Sequence, residues 1–420
     1  MATMAGARRE GWTTMETGQI GGGWTLQKLG TLRVPNAGFV SVGAAHEGDQ
    51  PSLIVSSFNA VPLSRDDVYC VQDIGAKLDS LQDVNPQSLT SRITWPNEVG
   101  FANREVMGTE GLLVPKGFIM PWKNQGGVDF LPMHDGQAGD PISVTPPRSG
   151  WFYHRAVTAD INNDGKEEIL TARGMKPIPV GASDGALVWL EPPQGGSAQG
   201  PWEEHVIAHG PDSNFRYADI DGDGKKEIVA TEFFNQKLDV FWQTADGQWQ
   251  GRTIDDHIGS AFDVQVVDVN NDGRAEILAT NHESDKEKSA VFAYEVPPDF
   301  KEKGGTFVRH TLANGFETAF SFSPAASPGA AIPFHPNANA PTGKPWMLVS
   351  GDGSQKAYLL TPDSEDPSDW GYHCQTILEG GCTVGNGAVA DVDGDGRPEL
   401  FVPAYEKGEV HVFRLVEPQG

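Results

Sequence analysis

Nine residues, Asp219 to Glu227, constrain the rest of the chain most. They read D-I-D-G-D-G-K-K-E and run into the apolar stretch Ile228-Val229-Ala230-Thr231. Side-chain oxygens recur at Asp219, Asp221, Asp223 and Glu227. Gly222 and Gly224 permit the left-handed backbone that a tight curl requires. Alternating carboxylates on a Gly-rich loop suit a hard cation that takes about six to eight oxygen ligands. In a helix–loop–helix calcium site the bidentate Glu stands twelfth and a helix follows. Here the Glu stands ninth and a β-prone run follows. The stretch is expected to be a calcium loop joining two strands of one sheet.

The same pattern returns three times. Asp160, Asn162, Asp164 and Glu168 precede Ile169-Leu170; Asp268, Asn270, Asp272 and Glu276 precede Ile277-Leu278; Asp391, Asp393, Asp395 and Glu399 precede Leu400-Phe401-Val402. The first Asp positions lie 59, 49 and 123 residues apart, so the last interval leaves room for one unit without its loop. A period of this size marks a solenoid, propeller or array. These loops resemble FG-GAP/VCBS repeats, whose family fold is a β-propeller with calcium in the blades. The resemblance implies an all-β β-propeller with Ca2+ as a structural ion and no organic cofactor; counting units along the chain makes it seven-bladed.

Each unit follows one plan of short strands with turn signals between them, as in an all-β repeat. In the first complete unit, strands are expected at 153–159, 168–172, 186–190 and 202–208. The unit after the third loop has none. Its inner strand is expected at Phe316–Phe322 and its second at Trp346–Ser350, with Ser323–Pro345 an inserted loop over one face. The last unit lacks a fourth strand, and Trp24–Leu29 reads like one. Pairing the two ends would close the ring and remove an exposed sheet edge. The expected division is a flexible segment, 1–23, and one propeller domain, 24–420. Two degenerate units fill the start: Phe39–Ser57, where Ala45, Glu47, Asp49 and Leu53 fall at the ligand positions, and about Asn97–Met133, where strands are expected at Gly117–Pro121 and Val128–Leu131. Six or eight units stay open as alternatives, because 60–150 is hard to parse.

Composition narrows the function classes. The 420 residues hold 50 Gly and 30 Pro, which call for many turns. There is no apolar run long enough to span a membrane, and the first 24 residues lack the apolar stretch of a secretory signal. Cys70, Cys374 and Cys382 are too few for a disulfide framework, although a Cys374–Cys382 bridge stays open. A cytoplasmic location is the simplest expectation. The formal charge of −26 disfavours nucleic acid and anionic membrane as partners. The expected partner is a small molecule; the oligomeric state is left open.

Inner strands of a propeller converge on a central channel whose mouth is the usual ligand site. The residues ahead of each loop are therefore the candidates: Tyr153, His154 and Arg155; Asn214, Phe215 and Arg216; Phe262 and Asp263; Phe316, Glu317 and Thr318; Asn386; with Phe39 and Arg104 in the degenerate units. His154 exchanges a proton near neutral pH, Arg155 holds an oxyanion, and Glu317 or Asp263 is the second acid–base group. The signatures of serine hydrolases, zinc proteases and dinucleotide-binding folds are absent.

Two enzyme resemblances reach function. The unit with Tyr153 to Asp160, Ala186 to Leu190 and Trp202 to Ile207 resembles the propeller domain of fungal aldos-2-ulose dehydratase, which implies a sugar lyase. In length, repeat type and absence of targeting signals the chain is similar to the fungal propeller proteins of tropolone-sesquiterpenoid biosynthesis. That resemblance implies a hetero-Diels–Alderase: a hydroxymethyl tropolone loses water to a quinone methide, which adds across a humulene-type alkene. A lectin-like binding propeller is the non-catalytic alternative. The pre-loop residues differ from unit to unit, which favours one asymmetric site, and the insertion 323–345 is placed to cover it.

Overall fold

The computed structural model describes residues 17–44, 48–102, 104–178, 180–193, 200–301, 305–319 and 325–418. Ala45 and Glu47, Ser323, and residues 1–16 of the expected N-terminal segment lie outside them. Seven antiparallel sheets form the molecule. Blade 1 is Ala37–Gly43, Ser52–Ser57, Asp67–Val71 and Gln87–Thr90. Blade 2 is Gly100–Ala102, Gly111–Lys116, Gln125–His134 and Gln137–Ala138, with two short pieces also paired on its third strand. Blade 3 is Trp151–Ala159, Glu168–Met175, Asp184–Glu191 and Glu203–His209. Blade 4 is Phe215–Ala218, Glu227–Glu232, Lys237–Gln243 and Trp249–Asp255. Blade 5 is Ala261–Val267, Glu276–Asn281, Ala290–Glu295 and Val308–Asn314. Blade 6 is Ala331–Phe334, Trp346–Ser350, Lys356–Pro362 and Tyr372–Glu379. Blade 7 is Ala388–Ala390, Glu399–Ala404 and Glu409–Val416.

The fourth strand of blade 7 comes from the other end of the chain. Thr25–Arg33 pairs antiparallel with Glu409–Val416, from Thr25 opposite Val416 to Arg33 opposite Glu409. Leu26 of this strand packs between blades 6 and 7, and Leu32 between blades 7 and 1, both without solvent exposure. Burying a leucine fully stabilises by about 1.5–3 kcal/mol, so the closing strand is bonded into two cores as well as one ladder. Thr17–Gln19 adds a fifth strand outside it.

Why the middle strands read as continuous apolar runs follows from the packing. In blade 4, Val229, Leu238, Val240 and Trp242 pack toward blade 5, while Ile228, Ala230 and Phe241 pack toward blade 3. Both faces of each sheet are therefore covered, and alternate side chains enter different cores. Seven apolar clusters occupy the seven interfaces between neighbouring blades and close the ring.

Two strand expectations are corrected. The inner strand of blade 6 is Ala331–Phe334, inside the stretch read as an insertion; 316–319 is irregular, and Phe316 is buried between blades 5 and 6. The second strand of blade 2 is Gly111–Lys116, and Gly117–Pro121 is the turn after it. Cys70, Cys374 and Cys382 are all free thiols. No helix among the described residues is long and apolar enough to cross a membrane.

Candidate functional site

The four acidic loops adopt one conformation. The residue at position six has a left-handed backbone each time, Gly165, Gly224, Gly273 and Gly396 at φ 85–87°; position four is left-handed as well, as Asn163, Gly222, Asn271 or Gly394. The first Asp of each loop accepts the position-six amide at 2.8–3.0 Å. The ninth-position glutamates, Glu168, Glu227, Glu276 and Glu399, are buried, and each accepts the amide of the second loop residue. One oxygen from each of Asp219, Asp221 and Glu227 lies within 4.8 Å of the others, and the same holds for Asp391, Asp393 and Glu399. Several hard oxygens on a loop held by its own amides fit a calcium-sized ion. Burial pushes the Glu276 and Glu399 carboxyls up to about 7 in the metal-free chain.

The loops start the second strand of their blades, so that strand ends on the opposite face. There the chain places a ring nearly every time: Phe58 after blade 1, Phe118 after blade 2, Phe233 and Phe234 after blade 4, His282 after blade 5 and Tyr405 after blade 7. Phe58 stacks on Trp95 at 4.5 Å, Trp95 on Phe118 at 4.3 Å, and Phe58 also meets Phe39 and Tyr405 at 5.5 Å. On the other side of the channel Phe262 lies 4.9 Å from His282 and 6.3 Å from Phe233. This aromatic crown was not read from the sequence, though the recurrence of a ring just past the second strand in five of the seven blades was there to find.

The channel residues are aimed by irregularities in the inner strands. Pairing slips by one residue between Ala37 and Phe39, between Tyr153 and Ala156, and between Ala261 and Val264. A bulge of this kind bends the strand and re-aims side chains. It lets consecutive residues depart from strict alternation, and His154 then meets Phe39 at 5.3 Å and Phe262 at 6.2 Å, across blades 1, 3 and 5. His154 Nδ1 and Arg155 Nε are buried without hydrogen-bond partners. Arg155 grips Glu98 at 2.5 Å. Asp263 is 2 % exposed; its Oδ2 accepts Gln265 Nε2 at 3.1 Å, and Arg216 stands 3.8 Å from its Oδ1. Burial, against the pull of Arg155, raises the Asp263 carboxyl to about 6. Burial lowers His154 to about 4, so its imidazole is neutral at ordinary pH.

His154, Arg155, Phe262, Asp263 and Phe39 therefore share one site, with Asn386 bridged to Phe39 beside it. The other candidates do not line it. Tyr153 and Phe215 are fully buried between blades. Phe316 is core, and Glu317 is exposed and ion-paired to Lys286 at 3.3 Å. Asn214 is a staple that donates to the Phe262 carbonyl at 2.9 Å. Arg104 is exposed on a short helix, and Glu98 takes its place in blade 2.

Residues 219–279, one acidic loop with its flanking strands, match the family model of the FG-GAP-like repeat. The chain is a β-propeller with an FG-GAP-like repeat. Among solved structures, this propeller is similar to one described as "Crystal structure of glucose dehydrogenase", 11% identical with a TM-score of 0.39, over 78% of this chain and 98% of that one. No curated protein matches its sequence.

Proposed function

We propose that this propeller is an enzyme that dehydrates a small hydroxylated ring substrate at the aromatic mouth of its channel and guides the product into a cyclisation. The carrying observation is Asp263, a buried carboxyl beside Arg216 and Gln265 that burial raises to about 6, next in the chain to Phe262. An acid works best when its pKa lies near the working pH. Asp263 protonates the departing hydroxyl, which leaves as water. Arg155, positioned by Glu98, offers its unpartnered Nε–H to the substrate oxyanion. Neutral His154 borders the same space and serves as a hydrogen-bond partner, so the acid role expected of it passes to Asp263. Phe39 and Phe262 flank His154 and hold the reactive intermediate against its alkene partner, the entropic part of a cycloaddition catalyst. A hetero-Diels–Alder reaction of a quinone methide with a terpene alkene is the instance this reading favours. Calcium enters as a structural ion: Asp160, Asn162, Asp164 and Glu168, with their counterparts in the other three loops, would hold it, and it pins the turns of the blades.

The test is turnover of a hydroxymethyl tropolone with a humulene-type alkene, followed by mass spectrometry. Asp263→Asn and Arg155→Ala are each expected to cut turnover by about ten- to a thousand-fold, Asp263→Asn with little change in melting temperature and Arg155→Ala with some loss, because Glu98 is left unpaired. Full activity in both variants overturns the assignment. Tight binding of simple sugars without turnover of any lipophilic substrate supports the lectin-like reading instead.

A further inference from the structure

The four loops fall into two classes. Blades 4 and 7 carry Asp at position three, Asp221 and Asp393; blades 3 and 5 carry Asn, Asn162 and Asn270. Where position three is Asp, a basic side chain of the protein reaches the loop. Lys301 Nζ lies 3.0 Å from Asp221, 2.7 Å from Asp223 and 3.0 Å from Glu227. Arg414 contacts Asp393 through one terminal nitrogen, sets its Nε 2.7 Å from Glu399 and stands 3.9 Å from Asp395. Both cations thus engage positions three, five and nine. Where position three is Asn, no cation among the described residues pairs with the loop ligands, and the amide itself donates: Asn162 Nδ2 to Glu168 at 3.1 Å and Asn270 Nδ2 to Asp272 at 3.4 Å. The correlation balances charge. Counting the four ligand positions with the cation that reaches in from outside the loop, four carboxylates with one cation and three carboxylates with none both give −3; in blade 7 Arg397, inside the loop, pairs with Asp395 as well, at 2.7 Å.

The two cations arrive by different routes. Arg414 is the cross-strand neighbour of Glu399 in blade 7. Lys301 comes from blade 5, on the connector between its third and fourth strands, anchored by the buried Phe300 that meets Trp242 of blade 4 at 5.7 Å. A common position reached from unrelated places points to a requirement of the loop itself.

We infer that Lys301 and Arg414 are built-in counter-cations, so that the loops of blades 4 and 7 hold their shape without metal and take calcium only by displacing a basic side chain, whereas the loops of blades 3 and 5 are the tight calcium sites. The inference rests on the structural-calcium reading above. An ammonium about 3 Å from three carboxylates competes directly with a cation for the same oxygens, and one unit charge at such range changes affinity by about tenfold or more.

Equilibrium dialysis of the whole chain against Ca2+ tests it. The parent is expected to hold two ions tightly and two at least about tenfold more weakly. Lys301→Met is expected to hold three tightly, and to lose more melting temperature than the parent when chelator is added. Should that variant fail to fold, Asp221→Asn with Lys301→Met rebuilds the blade 3 chemistry and is expected to give three tight ions as well. Four equivalent ions in the parent, or a folded Lys301→Met protein with unchanged uptake, overturn the two-class inference and leave the calcium reading standing. No uptake by parent or variant overturns both.

Discussion

At the scale of single residues, burial and bulges decide which side chains meet in the candidate site. Asp263 keeps its proton up to about pH 6. As a general acid it is active when protonated, so turnover is expected to fall as pH rises through 6. Rates measured from pH 4.5 to 8 check this, and Asp263→Asn should flatten the profile at a low level. A flat parent profile would move the acid elsewhere. Stability has its own pH dependence from a different place. Asp212 and Asp239 lie buried in blade 4, Asp239 beside Glu232, and burial raises both to about 7. Each binds its proton more tightly folded than unfolded, where the ordinary value is 3.8. Their contribution to stability is complete below pH 4 and is lost as pH rises through 7. Asp239→Asn should therefore raise the melting temperature most at pH 8, by less at pH 5, and leave it nearly unchanged only below pH 4; a loss at pH 8 would contradict this. Local chemistry made part of the site legible. His154 and Phe262 each stand six residues ahead of the first Asp of their loops, and Arg155 and Asp263 five, so aligning loops aligned them in pairs. Glu98 and Gln265 escaped, because Arg155 is 57 residues from the first and Arg216 is 49 from the second.

At the scale of the element, the acidic loop is the unit that repeats most faithfully, since its ligands, glycines and following strand are contiguous. That is why all four were readable. Blade 6 was misread for the opposite reason. Its inner strand, Ala331-Ile332-Pro333-Phe334, is short and contains a proline, and Pro within a run argues against a strand. The alternating Phe316–Phe322 imitated one better. Calcium removal acts on this scale. Excess chelator is expected to lower the melting temperature and calcium to restore it, as scanning calorimetry reads directly. Unchanged melting in metal-free protein would exclude a structural ion. Asp268→Ala should cost more stability than turnover.

At the scale of the whole molecule, one strand joins the chain's two ends and one channel gathers side chains from alternate blades. Deleting residues 1–33 removes Leu26 and Leu32 from two cores and bares the edge of Glu409–Val416; the melting temperature is expected to collapse, and unchanged melting would contradict the closure. Closure was legible because Trp24–Leu29 repeats a fourth strand that the last unit lacks. The shape of the channel was not, since Phe39, His154 and Phe262 meet only once seven blades have closed. The most direct measurement is a crystal structure of the chain soaked with a hydroxymethyl tropolone. Its ring is expected between Phe39 and Phe262, beside His154, with its hydroxymethyl oxygen within hydrogen-bond reach of Asp263. Density in repeated clefts between blades, with the channel mouth left to solvent, would contradict the account.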